Sequence, residues 1–335
     1  MSDDIPHPRE VFDYQGDGAP ERSFLTALER GRLHHAWLLT GPEGIGKATF
    51  AYRVARRLLG AKPDPTLGLL GALPGDPVSR QIIARAHPDL LVLQRDPEDG
   101  KSRRGIPVDE ARGLPEFFAK SPASAPYRVA IIDAADDLNA SAANAVLKTL
   151  EEPPERGVLL LVSHSPGGLL ATLRSRCRRL KFTPPDPAPA AAWVAEKAGV
   201  EIKDAGELLR MARGAPGQAW RLAARDALAM DLAAGEVLRR LPKTDEAALL
   251  SLADSFRGPV GATRFNLFFD RLADQVHAMA REQIADRQSG EGRGPLVDWA
   301  ALWSDLIELP RQAEAVNLDR ADVLHTVLTR LRAIA

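Results

Sequence analysis

Ala36-Trp37-Leu38-Leu39-Thr40-Gly41-Pro42-Glu43-Gly44-Ile45-Gly46-Lys47 joins an apolar run of strand length to a glycine-bearing loop, and Lys47 opens a helical pattern that reaches Leu59. Gly41 to Lys47 fits the first seven positions of a phosphate-binding loop, G-x-x-x-x-G-K. Its glycines let backbone amides curl round a phosphate, and Lys47 would neutralise the charge. The next position should carry a hydroxyl for Mg²⁺. Ala48 has none, and Thr49 comes one residue late, about 100° further round the helix. Gly41, Gly44, Gly46, Lys47, Ala48 and Thr49 thus make a degenerate nucleotide site. Two readings stay open for it: a loop kept for its shape alone, or a weak ATP or ADP site.

Outward from this stretch, Leu90–Leu93, Arg128–Asp133, Val158–Ser163 and Arg179–Phe182 also have strand length, and most read as buried on both faces. Helical segments lie between most of them. In Ser141–Glu152, Asn139 or Ser141 can cap the start, and Pro153-Pro154 stops the end. Such alternation predicts an α/β domain, a five-stranded parallel sheet with flanking helices. Thr183–Pro189 carries four prolines in seven residues, which can continue neither strand nor helix, so a boundary is placed there. Beyond it the chain reads as all helical. The expected division is 1–184 for the phosphate-loop domain, 185–229 for a small helical lid and 230–335 for a helical C-terminal domain. Leu324, Leu328 and Leu331 should share one face of the last helix.

With 335 residues, 45% hydrophobic and 27% charged, the chain can bury the cores of two or three domains. A net charge of −1 gives no global field towards nucleic acid or an anionic membrane. Cys177 is the single cysteine, so neither an internal disulfide nor a four-cysteine zinc site can form. Met1–Glu10 lacks the apolar run of a signal peptide, and no stretch reaches the ~18 apolar residues of a membrane span. The expected location is the cytoplasm.

The third strand ends in Asp133-Ala134-Ala135-Asp136. A working ATPase of this type needs an Asp for the metal and then a Glu to polarise water. Asp133 fills the first place, and Ala134 has no polar side-chain atom for the second.

Leu33-His34-His35-Ala36 with the loop, the run from Ser141 to Pro154, and Leu173-Arg174-Ser175-Arg176-Cys177 together resemble the clamp-loader family of the AAA+ superfamily. That family holds the motor and delta-prime subunits of the bacterial DNA polymerase III holoenzyme and the replication factor C subunits. The similarity spreads over roughly 6–225, and the missing acidic partner is closest to the delta-prime pattern. It implies an AAA+ domain, a lid and a collar in a five-subunit ring, with motor (gamma/tau) and delta subunits as partners. The sliding clamp and primed DNA would be met through that complex, with no membrane contact. The resemblance further implies that Arg176, with Ser175 and Cys177, reaches a neighbour's ATP site as an arginine finger. The rival readings of the basic run are a solvated face and a patch for DNA phosphates. An ATP-hydrolysing motor subunit is the alternative function.

Three departures matter. Family members usually carry a cysteine-ligated zinc module after the loop helix, but Gly60–Pro88 holds no cysteine, so no zinc is expected. The lid arginine of the motors is replaced by Gly217. The motors' sensor threonine corresponds to Ser163 or His164. The chain is therefore expected to belong to a nucleotidyltransferase complex while being neither ATPase nor polymerase itself.

Overall fold

A computed structural model of the chain describes residues 5–95, 105–240, 246–288, 296–316 and 318–334; the acidic opening at 1–4 lies outside them. Five strands, β1 (Ala36–Thr40), β2 (Leu90–Gln94), β3 (Arg128–Asp133), β4 (Gly157–Ser163) and β5 (Arg178–Lys181), form one parallel sheet in the order β2-β3-β4-β1-β5. The expectation of burial on both faces holds for the three inner strands. The edge strands β2 and β5 are half-buried and mostly exposed respectively. On β5 the exposed positions are Arg178, Arg179 and Lys181, charges that suit an edge with unpaired backbone groups.

The helices of this part are α1 (Ala19–Glu29), α2 (Lys47–Leu58), α3 (Pro77–Ile83), α4 (Val108–Arg112), α5 (Leu114–Ala119), α6 (Ala140–Glu151) and α7 (Ala171–Ser175). Successive strand residues point to opposite sides, and the core divides accordingly. Trp37, Leu39, Val129, Ile131 and Leu160 pack with Phe24, Phe50 and Ile82 from α1, α2 and α3. Leu38, Ile132, Leu159 and Leu161 pack with Leu114, Val146 and Leu173 from α5, α6 and α7. Fully burying each large side chain contributes roughly 1.5–3 kcal/mol, so both helix layers are firmly held. Asn139 is the residue that caps α6, accepting from the amide of Ala142 at 2.9 Å.

The chain continues through α8 (Pro187–Ala198), α9 (Ile202–Met211) and α10 (Pro216–Ala224). The proline run does not exclude a helix, because α8 starts inside it. Asp186 caps α8 through the amide of Ala188, and Pro187 stands at the first helical position, where its missing N–H costs nothing. In the segment 60–88 a bridge joins Pro63 to Ala72, and Asp76 caps α3 while accepting from the amide of Lys62.

The chain divides into two compact units, Asp4–Trp220 and Arg221–Ala335. The second contains α11 (Ala227–Arg240), α12 (Glu246–Asp254), α13 (Gly258–Gln288), α14 (Leu296–Val316) and α15 (Arg320–Ile334). Its core includes Phe256, Phe265, Phe268 and Phe269, with neighbouring ring centroids 4.7–5.6 Å apart. Leu324, Leu328 and Leu331 are all buried, as their spacing predicts. No helix among the described residues is long and apolar enough to cross a membrane.

Candidate functional site

The loop between β1 and α2 leaves the sheet at the carboxyl ends of the strands, where open α/β sheets bind ligands. Gly41, Gly44 and Gly46 all have positive φ, and a Cβ on Gly41 would stand 2.6 Å from the carbonyl oxygen of Phe182. Lys47 is buried, and its ammonium donates to the carbonyls of Gly41 at 2.6 Å and Pro42 at 2.5 Å. Ala48 and Thr49 sit half-buried in the first turn of α2. Asp133 ends β3 beside the buried Tyr52, whose phenol is held well above its usual value by burial first and by the Asp133 carboxylate second. Ala134 is buried.

Asp136, three residues beyond Asp133, has a different task. It accepts from Ser163 Oγ at 2.9 Å, from the amide of His164 at 2.7 Å and from that of Ser165 at 3.1 Å. The Ser163 hydroxyl, at one of the two candidate sensor positions, is thus engaged by this carboxylate.

The start of α10 lies directly on the phosphate loop. The amide of Gly217 donates to the carbonyl of Gly44 at 2.9 Å. A Cβ on Gly44 would stand 2.4 Å from the nitrogen of Gln218, and one on Gly217 would stand 2.8 Å from the oxygen of Gly44. A segment before α1 braces the same region. Tyr14 lies 3.1 Å from where a Cβ of Gly46 would stand. Asp13 accepts from Trp193 Nε1 at 2.6 Å and pairs with Lys197 Nζ at 2.9 Å, both on α8. Burial alone would raise the Asp13 carboxyl, but these two donors hold it below its usual range. The Asp13–Trp193 bond joins residues 180 positions apart, and nothing local in the sequence signals it.

Arg176 is at the other end of the sheet. Trp37 pairs with Arg178 and Thr40 with Lys181, so Ser175-Arg176-Cys177 enters beside the start of β1 while the phosphate loop leaves its end. At about 3.3 Å per residue, β1 separates the two by roughly 13 Å. Arg176 caps the C-terminus of α7, donates from Nη1 to the carbonyl of Thr172 at 3.0 Å, and pairs through Nη2 with Glu151 Oε1 at 3.0 Å. Ser175 Oγ donates to the same carbonyl at 3.1 Å. Burial pushes the Cys177 thiol up to about 12. Of the flanking cations, Arg178 lies over the Trp37 ring at 4.8 Å, and Arg179 Nε donates to Thr40 Oγ1 at 2.9 Å.

Comparison with known proteins then gives the family. A family model described as DNA polymerase III, delta subunit, matches residues 18–186. DNA polymerase III subunit delta' of Pseudomonas aeruginosa is 33% identical over 264 residues, 78% of this chain and 76% of that one. The chain belongs to the DNA polymerase III delta-prime family. The Escherichia coli delta' subunit is 34% identical over 198 residues, 59% of this chain and 57% of its own length. The gamma/tau subunit of Mycobacterium tuberculosis is 35% identical over 182 residues, 53% of this chain and 30% of its own. Among solved structures, a gamma subunit-related protein of Thermotoga maritima covers 93% of this chain and 99% of its own, at 19% identity and a TM-score of 0.44.

For a member of the delta-prime family, the loop end has the shape of a phosphate-binding loop but not the donor set that hydrolysis needs. Ala48 offers no hydroxyl for Mg²⁺, Ala134 no carboxylate for water, and Gly217 no cation, while the Gly44 carbonyl already takes the Gly217 amide. A Mg²⁺–nucleotide in hydrolysable form does not fit these residues. The delta-prime chain therefore brings together Lys47, Asp133 and the start of α10 at one end of its sheet, and Glu151 with Arg176 at the other.

Proposed function

We propose that the chain is a non-hydrolysing clamp-loader subunit that braces a five-membered ring and donates Arg176 to a neighbouring motor's ATP site. The separation of Arg176 from the chain's own phosphate loop by the length of β1 carries this reading. A guanidinium on that side serves no reaction at the chain's own loop, whereas an arginine supplied in trans stabilises charge on a transferring phosphoryl group. The loss of the hydroxyl, carboxylate and lid cation at positions 48, 134 and 217 supports the same division of labour. Within this reading the chain works as an AAA+ domain (1–184), a lid (185–229) and a collar (230–335). Its partners are gamma/tau motors and the delta subunit, and it meets the sliding clamp and primed DNA through the complex in the cytoplasm. Neither zinc nor tightly held nucleotide is part of it. The alternative of a hydrolysing motor would have to work without all three groups.

Reconstitution of the ring tests it. Arg176→Ala should leave assembly intact, because one half-exposed guanidinium contributes little to a large interface. It should cut clamp-stimulated ATP hydrolysis and clamp loading, since a finger contributes about 10³–10⁵ at the site it serves; the loss over several sites is smaller. Lys47→Ala should do much less harm. The reverse pattern makes the chain a motor.

A further inference from the structure

Resting on the finger reading, we propose that Glu151 is a positioning residue that parks Arg176: its carboxylate stands in for the neighbour's phosphate and keeps the guanidinium folded back until a phosphate competes for it. Arg176 is not extended away from its own chain. One nitrogen returns to the carbonyl of Thr172, four residues earlier, and the other meets Glu151 at 3.0 Å. A γ-phosphate offers the same acceptor geometry with greater charge, so it can displace a carboxylate that holds the fork on one side only.

Glu151 is badly placed for any purpose within its helix. It is the last residue of α6, where the exposed carbonyls carry partial negative charge and favour a cation. Its side chain is 52% exposed and that of Arg176 is 37% exposed, so neither packs a core and the pair contributes little to folding. What the pair does fix is where a long, flexible cation spends its time. Glu151 also ends the helix whose connection leads into the start of β4, on the same side of the sheet as Arg176 and away from the phosphate loop. It therefore acts on the finger and not on the chain's own loop.

The test is a double-mutant cycle in the reconstituted ring. Glu151→Gln keeps shape and removes charge. Without clamp or DNA it should raise ATPase kcat at the served site by about two- to fivefold, the population shift that an exposed ion pair can hold. KM should stay constant, because a finger acts on the transition state. In an Arg176→Ala background the rise should vanish. A fall in kcat would mean that Glu151 aims the arginine instead, and a neutral variant, or the same rise without Arg176, would also overturn the proposal. If Arg176→Ala alone changes nothing, it is the finger reading that fails. Guanidinium ¹⁵N signals of Arg176 in the isolated chain read the contact without any turnover. They should show restricted rotation that Glu151→Gln releases, and identical signals in the two proteins refute parking.

Discussion

Two carboxylates show how much single side chains hold in place. Asp89 is fully buried just ahead of β2 and accepts from the amides of Ala123, Ser124 and Ala125 at 2.8, 2.9 and 3.2 Å, with Arg128 Nε at 3.3 Å. Burial raises its carboxyl, but the three amides and then Arg128 outweigh that, and the net shift is downward. A carboxylate whose folded value lies below its unfolded one contributes stability that is complete above about pH 4–5 and is lost as pH falls through the folded value. Asp89→Asn should therefore cost roughly 2–4 kcal/mol at pH 7, because Asn keeps one acceptor oxygen and turns an NH2 towards an amide that the second carboxylate oxygen now accepts. It should also flatten the acid limb below about pH 4. Thermal melts of both proteins between about pH 2.5 and 7 check this, and parallel profiles would contradict it. Asp136 does similar work for Ser163, His164 and Ser165. In the sequence it is one acid of a short acidic run, and only the fold reveals that it ties the ends of β3 and β4 together.

The inner strands are legible because a buried parallel strand needs an unbroken apolar run, and Ala36–Thr40 and Arg128–Asp133 have the predicted bounds. The edge strand β5 is less so. Its register against β1, which starts it at Arg178 and not Arg179, is set by pairing that hydrophobicity does not encode. The start of α8 escapes a reading by composition because proline stops a helix from within yet opens one at its first turn. The contact of α10 with the phosphate loop invites a measurement. Gly31 has φ +63 with nothing near its would-be Cβ, whereas Gly44 has φ +72 and Gln218 backbone 2.4 Å away. Gly31→Ala should cost about 1–2 kcal/mol, the conformational penalty alone. Gly44→Ala should cost distinctly more, as read by denaturant midpoints. Equal losses would show that the start of α10 yields easily.

The site as a whole is legible only in pieces. Lys47 and Arg176 announce themselves by local motifs, but their separation by the sheet, and the hold of Asp13 on Trp193 and Lys197, depend on contacts between distant parts of the chain. The division of the chain at Trp220–Arg221 passes through α10. A truncation meant to isolate the first unit should end after Ala224, so that the helix touching the loop stays whole. Such a chain should unfold cooperatively, because its sheet has cores on both faces. If the second unit holds the chain in the proposed ring, the shortened chain should fail to co-elute with gamma/tau and delta subunits. Normal assembly by it would place any such contacts in the first unit.

The close approach of Gly217 to Gly44 limits what substitution can do at position 217. The space beside the Gly44 oxygen is filled by backbone. An arginine at position 217 would put its Cβ 2.8 Å from that oxygen before the guanidinium reaches anything. Ser at 48 and Glu at 134 would leave the obstruction untouched. Any side chain at this position therefore has to move the start of α10 before its far end can act, so side chain and backbone must change together.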